Sequence, residues 1–246
     1  MTVQIEHDQI VDELIGNDLS LDLAQASLSL ARAFHRGATL WVISPQWEPH
    51  AHHVAVEFVH PVIMGKRALP SVALVGADPV AQTRVAVRPG DVVLAVAAAD
   101  DPAARSLMQR APAWGVSTIW VGFGQRPPDG AADHVLWVAS DDPMVPATGR
   151  FVLMYHLLWE LTHVCFEHPG LLTVQDEECT DDVCVTCSDE GRLAEVVEAP
   201  FEVAGPAAVR TATGEEDVDV TLVGDVAPGD LILIHAGMAL TKVEPS

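Results

Sequence analysis

The sequence has little positive charge and no long apolar run. Only 13 Lys and Arg residues stand against 35 Asp and Glu residues, which gives a formal net charge of −22. This charge repels phosphate backbones and anionic lipid headgroups, so neither nucleic acid nor a membrane is an expected partner. Residues 1–9 are polar and acidic, and no stretch of about 18 apolar residues follows them. We therefore expect a cytoplasmic protein.

Cysteine is also scarce, and its few positions are close together. The chain has four cysteines, at Cys165, Cys179, Cys184 and Cys187. In a reducing compartment such clustering favours metal or thiol chemistry, with structural disulfides as the alternative. Two of them form the C-x-x-C motif Cys184–Cys187, whose spacing lets two thiolates meet one ion or act as a redox pair. No second C-x-x-C follows, so a closed four-ligand zinc site is not expected there unless Cys179 and a distant residue join.

Length and composition indicate two globular domains. The 246 residues exceed the usual size of one domain, and 49% of them are hydrophobic while 20% are charged. In the longer N-terminal part, apolar strand-like runs alternate with helical patterns, which predicts an α/β fold with a parallel sheet covered on both faces. The predicted strands are 39–43, 71–75, 91–97, 117–121 and 135–138, and the predicted helices are 18–35, 50–60, 102–113 and 150–166.

The C-terminal part has a different pattern. Residues 170–182 are acidic and lack periodicity, as expected for a linker. Short alternating runs then follow, separated by turns that contain Gly and Pro. These runs predict a small β-barrel, with strands at 193–197, 207–210, 217–222 and 231–234.

Four segments of the N-terminal part carry a family resemblance: residues 53–59 (HVAVEFV), 69–74 (LPSVAL), 88–92 (RPGDV) and 155–161 (YHLLWEL). In sequence and order they resemble the sugar isomerase (SIS) fold of phosphoheptose isomerases. The resemblance matches His53 and Glu57 to the family's first His and its Glu, and His156 to its later helical His. His53 and Glu57 are spaced i, i+4 and so share one helix face, as a metal pair or a His–carboxylate pair requires. These three residues are a candidate second site, either for a metal such as zinc or as a polar cluster at a subunit interface.

The family's phosphate-binding loops are altered in this chain. The loop after the first strand reads SPQWEP at 44–49, and the later Ser-rich turn reads AAADDP at 97–102. Proline removes N–H donors, alanine removes hydroxyls, and two aspartates repel a phosphate at short range. The family's catalytic His, one turn before His156, also has no counterpart. We therefore expect no isomerase activity. The alternative to this expectation is that the protein is a sugar-phosphate isomerase or sugar-phosphate sensor.

Two segments of the C-terminal part carry a second resemblance: residues 217–224 (DVDVTLVG) and 228–242 (PGDLILIHAGMALTK). Their elements and spacing resemble those of the HypC/HupF family of [NiFe]-hydrogenase maturation chaperones. The resemblance implies an OB-like barrel that carries iron ligated by cyanide and carbon monoxide to the hydrogenase large subunit precursor, together with a HypD-like maturation protein. It implies that His235 is one iron ligand. The family's other ligand is a Cys beside the initiating Met, whereas this chain has internal Cys184 and Cys187, of which we slightly prefer Cys187.

The domains expected from these resemblances are an SIS-like α/β domain over residues 1–170, an acidic linker over 171–183 and a HypC/HupF-like barrel over 184–246. We expect a non-enzymatic maturation chaperone in which the barrel binds iron and the SIS-like domain supplies oligomerisation or partner contacts. Apolar helices of SIS-like domains commonly pack between subunits, so a homodimer or larger closed assembly is expected. A fusion that binds no metal is a further alternative.

Overall fold

The structure, a computed structural model, describes residues 17–173, 191–200 and 205–243. The first of these ranges, called the sheet domain here, contains helices α1 (Asn17–His35), α2 (Glu48–Val59), α3 (Pro79–Ala86), α4 (Pro102–Arg110) and α5 (Gly149–Glu167). Its strands are β1 (Leu40–Ile43), β2 (Ser71–Leu74), β3 (Val92–Val96), β4 (Ser117–Phe123) and β5 (His134–Val138).

The five strands of the sheet domain form one parallel sheet in the order β2-β1-β3-β4-β5. Strand β3 is central, and Val92 pairs with Leu40 of β1 on one side and with Ser117 of β4 on the other. Every residue of β3 is buried, as expected for a continuous apolar run in a sheet covered on both faces. The predicted α/β fold with a parallel sheet is confirmed.

Apolar cores cover the two faces of this sheet. On one face, helices α1, α2 and α5 bury Leu30, Phe58 and Phe151 against the strands. On the other face, α4 and the short 3₁₀ turn after it bury Leu107 and Trp114. Burial of side chains this large is the main source of stability of the domain.

Helices α3 and α4 begin in the same way. Each has an Asp N-cap followed by Pro, and the Asp78 and Asp101 carboxylates accept hydrogen bonds from the main-chain N–H of Ala81 and Ala104 at 2.9 and 2.8 Å. Helix α3 was not among the predicted elements. Its eight residues leave Val85 exposed, so the apolar periodicity is weak and the Asp-Pro start is its main signal.

The second part, called the barrel here, comprises the described residues from 191 to 243. Its strands are β6 (Arg192–Glu198), β7 (Pro206–Thr211), β8 (Gly214–Asp219), β9 (Leu231–His235) and β10 (Met238–Val243). They close in the order β10-β8-β7-β6-β9, because β9 also pairs with β10. Small aliphatic side chains such as Ala194, Val209 and Ile232 fill its interior, which suits a narrow barrel.

Two barrel strands differ from the prediction. Strand β8 ends at Asp219, not at residue 222, because the Asp219 carboxylate accepts a hydrogen bond from Thr221 N–H at 2.8 Å and a turn begins there. Strand β10 was not predicted. A bulge between Ala239 and Thr241 interrupts its alternation of buried and exposed residues, which hides the period-two pattern.

Two sets of predictions fall largely outside the described residues. Most of the proposed linker at 171–183 and the proposed start of the second domain at 184 lie there, so these boundaries stay predictions. Cys179, Cys184 and Cys187 also lie outside the described residues, whereas Cys165 is a buried free thiol in α5. Among the described helices, none combines the length and apolarity needed to cross a membrane.

Candidate functional site

His235 ends strand β9 at a two-residue hairpin. It pairs with Met238 at the start of β10, so only Ala236 and Gly237 connect the two strands. These two residues have φ angles of 48° and 78°, the positive values of a type I′ turn, whose twist matches that of a β-hairpin. His235 is half-buried, and the three residues after it are exposed. The hairpin therefore presents the predicted iron ligand at a fixed place on the barrel surface.

The chain enters the barrel beside His235. Antiparallel strands β6 and β9 pair Arg192 with Ile234, so Gly191, the residue before Arg192, lies next to the end of β9. A Cβ atom at Gly191 would stand 3.2 Å from Cδ1 of Leu233, which is a tight contact. Gly191, the first described residue of the barrel, therefore lies at its His235 end.

Covalent geometry limits how far each predicted thiolate can be from this point. Cys187 precedes Gly191 by four residues, so an extended chain allows at most about 14 Å between their Cα atoms. Cys184 precedes Gly191 by seven residues, and the same limit is about 25 Å. A thiolate and an imidazole are suitable ligands for iron that also carries strong-field diatomic ligands.

His53, Glu57 and His156 come together between α2 and α5. Nε2 of His53 lies 3.4 Å from Oε1 of Glu57 and 3.1 Å from Nε2 of His156. The distance from Nε2 of His156 to the same Glu57 oxygen is 3.8 Å. One ligand atom from each residue lies within 4.8 Å of the others, and all three side chains are half-buried. The structure thus brings the predicted second site together in a form that can hold one metal ion.

Two further residues extend this cluster, and the sequence did not single them out for a role. The Tyr155 hydroxyl oxygen lies 3.0 Å from Nδ1 of His53 and 3.1 Å from Nδ1 of His50. Tyr155 is buried and forms edge-on contacts with the rings of both histidines. The available signals were the position of His50 one turn before His53 and that of Tyr155 next to His156.

Burial shifts the pKa values of three residues at this site, Tyr155, His156 and His50. It raises the pKa of Tyr155 to about 12, with a smaller contribution from the Glu57 charge, so the hydroxyl keeps its proton. Burial also lowers the pKa of His156, against the attraction of Glu57. The pKa of His50 is lowered mainly by burial, which outweighs the hydrogen bond to the Pro146 main chain. Neutral imidazoles have a lone pair available for a metal or a hydrogen-bond donor.

Carboxylates stand at the two helix starts where the SIS family binds phosphate. At α4 the Asp101 side chain caps the helix, and Pro102 has no N–H to offer. At α2 the first turn contains Glu48 and Pro49, and the residue before them makes no side-chain cap. A phosphate at either helix start would approach a negative charge with fewer donors than usual.

A cavity of about 910 Å³ opens at the carboxyl ends of β3, β4 and β5, beside α4. In open α/β sheets this edge is where ligands commonly bind. None of the predicted site residues lines this cavity. Its walls mix apolar and charged side chains of both signs, including Met108, Phe123, Arg105, Asp100 and Asp141.

The His53 cluster and the barrel lie on opposite faces of the sheet. The His53 cluster is carried by α2 and α5, whose core lies on one face. The barrel packs against the other face, where Leu231 joins the core formed by α4 and Trp114. Among the described residues, the potential metal group consists of His53, Glu57 and His156, and no barrel residue belongs to it.

Residues 191–246 match the model of the HupF/HypC family. The match covers the barrel strands, the His235 hairpin and the end of the chain, and it leaves the sheet domain outside. No curated protein sequence matches this chain at a significant level.

Solved structures resemble the sheet domain. A phosphoheptose isomerase from Francisella tularensis is 18% identical, covers 66% of this chain and 95% of its own, and has a TM-score of 0.55. A phosphoheptose isomerase from Neisseria gonorrhoeae is 16% identical, with 68% and 94% coverage and a TM-score of 0.47. The sugar isomerase domain of an RpiR transcription factor from Sphaerobacter thermophilus is 19% identical, with 70% and 93% coverage and a TM-score of 0.45.

The first of these similarities establishes the fold of the sheet domain and nothing about its activity. Both resemblances predicted from the sequence are confirmed at this level. The chain therefore joins a sheet domain with the fold of phosphoheptose isomerases to a C-terminal domain that matches the HupF/HypC family.

Proposed function

We propose that this protein is a [NiFe]-hydrogenase maturation chaperone that binds the iron fragment bearing cyanide and carbon monoxide and delivers it to the hydrogenase large subunit precursor. The observation that carries the proposal is the family match over residues 191–246. The position of His235 on a tight hairpin, beside the entry of the chain into the barrel, supports it. The iron is cargo, which the protein receives and releases.

His235 and one cysteine are the proposed iron ligands. Cys187 is slightly preferred over Cys184 because fewer residues separate it from Gly191, which lies at the His235 end of the barrel. An imidazole and a thiolate leave further positions on the iron for its diatomic ligands and for exchange during transfer. Two protein ligands hold the fragment without enclosing it, which suits a carrier.

The sheet domain is proposed to supply oligomerisation and partner contacts rather than catalysis. The segment between α2 and β2 exposes Val62 and Met64, at 83% and 97% of their surface, which is unusual for apolar side chains and fits a protein contact. A homodimer or larger assembly, the large subunit precursor and a HypD-like maturation protein are the proposed partners. The charge of −22 favours partners with basic or apolar surfaces.

Spectroscopy of the purified chain tests the carrier function. The protein is purified without oxygen after co-expression with the other maturation proteins, its iron is quantified, and the cyanide and carbonyl stretching region is recorded by infrared spectroscopy. The variants are His235→Ala, Cys187→Ala and Cys184→Ala, with Cys179→Ala and the exposed His35→Ala as controls.

The carrier hypothesis predicts diatomic bands in the wild type and in both controls. It predicts that His235→Ala and one of the two cysteine variants lose the bands, which also identifies the thiolate. A wild-type protein with neither iron nor diatomic bands in the presence of its partners contradicts the hypothesis.

A second candidate function is a sugar-phosphate isomerase or sugar-phosphate sensor. The fold of the sheet domain and the grouping of His53, Glu57 and His156 favour it, and zinc is the metal proposed for this cluster. The capping carboxylate of Asp101 and the first-turn Glu48 oppose it, since both repel phosphate.

Ligand binding separates the two candidates. A heptose phosphate is added to the wild type and to His53→Ala, and thermal stability and isomerase activity are measured. The chaperone proposal predicts no stabilisation and no turnover in either protein. Stabilisation or turnover that disappears in His53→Ala supports the second candidate.

A further inference from the structure

The sheet domain and the barrel share one buried carboxylate. Glu195 on β6 alternates with core residues of the barrel and therefore points outward, yet its side chain is only 2% exposed. Its Oε2 accepts hydrogen bonds from Arg84 Nε at 2.9 Å and from Trp114 Nε1 at 2.8 Å. Its Oε1 accepts from Arg110 Nη1 at 2.9 Å. All three donors belong to the sheet domain, and together they satisfy both oxygens.

Arginine side chains near this carboxylate also donate hydrogen bonds to main-chain oxygens of the opposite domain. Arg210 on β7 donates to the main-chain oxygens of Arg84 and Val87 at 2.8 and 3.2 Å, where α3 ends. A cation is favourable at a helix C-terminus, because the last carbonyl groups carry partial negative charge. Arg110 on the sheet domain donates to the Gly229 carbonyl at 2.6 Å. Each domain thus supplies a cation that bonds the main chain of the other.

The apolar surfaces of the two domains also fit closely. Leu231 of the barrel is buried in the apolar core that contains Trp114, and Leu193 and Val243 pack against the same core. A Cβ atom at Gly115 would stand 2.8 Å from the main-chain oxygen of Ala212. The backbones of the two domains are therefore in close contact at this point. Close apolar packing around satisfied polar groups is typical of a stable interface.

We infer that the α3–α4 face of the sheet domain is a docking surface for the chain's own barrel, and that Glu195 is the residue that determines this docking. The face is defined by Arg84, Arg110 and Trp114, whose side chains together bind one carboxylate. The partner that fits it is a barrel with a carboxylate on the outer side of β6. The two domains then move as one body.

The physical argument rests on the cost of a buried charge. A carboxylate removed from water is strongly unfavourable unless charged and neutral donors replace its hydration, and here three donors do so. Any other arrangement of the domains leaves Glu195, Arg84 and Arg110 to find new partners or solvent. The carboxylate therefore selects one docking geometry, whereas the apolar contacts alone are less directional.

The docking carboxylate and the proposed iron ligand lie at different places on the barrel. Glu195 pairs with Leu231 at the start of β9, and His235 lies four residues farther along the same strand. That separation is about 13 Å in a β-strand. The Glu195 contact is therefore distinct from the proposed iron ligand, and the docking stands independently of whether the barrel carries iron.

Hydrogen exchange of the full chain, followed by mass spectrometry, tests the inference. In Glu195→Gln the amide replaces a carboxylate among three donors, so we expect exchange to accelerate at least about tenfold at residues 111–116 and 206–212, which form the two sides of the interface. The control is Glu198→Gln, an exposed residue of the same strand, which should exchange like the wild type.

A second variant removes one of the sheet-domain donors to the Glu195 carboxylate. Arg110→Gln lies in the sheet domain, so a damaged barrel cannot explain its effect, and it should accelerate exchange at the same two segments. Wild-type exchange in the buried central strand β3 of both variants checks that the sheet domain itself stays folded. Wild-type exchange at both segments in both Glu195→Gln and Arg110→Gln overturns the inference. The inference also fails if exchange in Glu195→Gln accelerates throughout the barrel core while Arg110→Gln has no effect.

Discussion

The hydroxyl oxygen of Tyr155 lies 3.0 Å from Nδ1 of His53. It also lies 3.1 Å from Nδ1 of His50, and a hydroxyl group donates only one hydrogen bond. The Tyr155 hydroxyl can therefore donate to only one of the two imidazoles, whereas its oxygen can accept from either. A metal on Nε2 of His53 requires the proton of that ring on Nδ1. In the metal-bound form His53 is thus the donor to Tyr155, which leaves the Tyr155 proton available for donation to His50.

Tyr155→Phe should weaken metal binding by the His53 cluster. The substitution removes the group that holds the His53 proton on Nδ1, and loss of such an outer partner typically lowers metal affinity by about 10- to 100-fold. Zinc affinity is measured by competition with a chromophoric chelator. His52→Ala is the control, because His52 lies on the same helix but pairs with the exposed Glu48. Equal affinity in Tyr155→Phe and the wild type contradicts the role assigned to the hydroxyl.

Three half-buried histidines should lower the free energy of unfolding of the sheet domain in mild acid. Burial lowers the pKa of His50, His134 and His156 below 6.5. The unfolded chain therefore takes up protons at a higher pH than the folded chain, and the free energy of unfolding decreases as the pH falls below neutral through 6.5. Urea unfolding at pH 7.5 and pH 6, followed by tryptophan fluorescence, measures the decrease.

A double variant identifies the groups responsible for this decrease. His50→Gln/His156→Gln removes two of the three protonation sites, so its free energy of unfolding should change less between the two pH values than that of the wild type. The exposed His52→Gln serves as the control and should behave like the wild type. An identical pH dependence in the double variant and the wild type would mean that other groups cause the effect.

The architecture of the sheet domain could be predicted because its signals are local. Strand β3 is a continuous apolar run, and a run of this kind is typical of a strand buried on both faces. Helix α3 and strand β10 were missed for the opposite reason. Helix α3 has little apolar periodicity, and a bulge disrupts the alternation of β10, so tertiary contacts determine both elements more than local pattern does.

The candidate sites show the same division between local and tertiary signals. His53 and Glu57 share a helix face, so their grouping follows from the i, i+4 spacing, and His156 was assigned through the family resemblance. The bridging position of Tyr155 depends on how α2 packs against α5, over a separation of 102 residues from His53, and no local pattern reports it. The docking residue Glu195 likewise looks like an ordinary charged position on an exposed strand face.

Gly122 should be essential for the packing of the sheet. A Cβ atom at this position would overlap the ring of Trp137 and the carbonyl oxygen of Ala97, neither of which can move freely in the core. Gly122→Ala is therefore expected to lower the free energy of unfolding by about 3 kcal/mol, as overpacked core substitutions do. Gly149→Ala is the control, since a Cβ there meets no atom within 4 Å. It should stabilise by roughly 0.5 kcal/mol, and similar unfolding curves for the two variants would contradict the packing argument.

Ala236→Gly should stabilise the barrel. Ala236 is the described non-glycine residue with positive φ, at 48°, and this left-handed conformation costs an L-residue about 1–2 kcal/mol. Glycine removes that strain but adds about 0.4–1 kcal/mol of unfolded-chain entropy, so the net gain should be roughly 0.5 kcal/mol. Hydrogen exchange of residues 231–243 measures it. The control Ala208→Gly, in the middle of β7, has no strain to relieve and should destabilise by about 0.5–1 kcal/mol. A loss of stability in Ala236→Gly as large as in the control would show that the hairpin stores no strain beside His235.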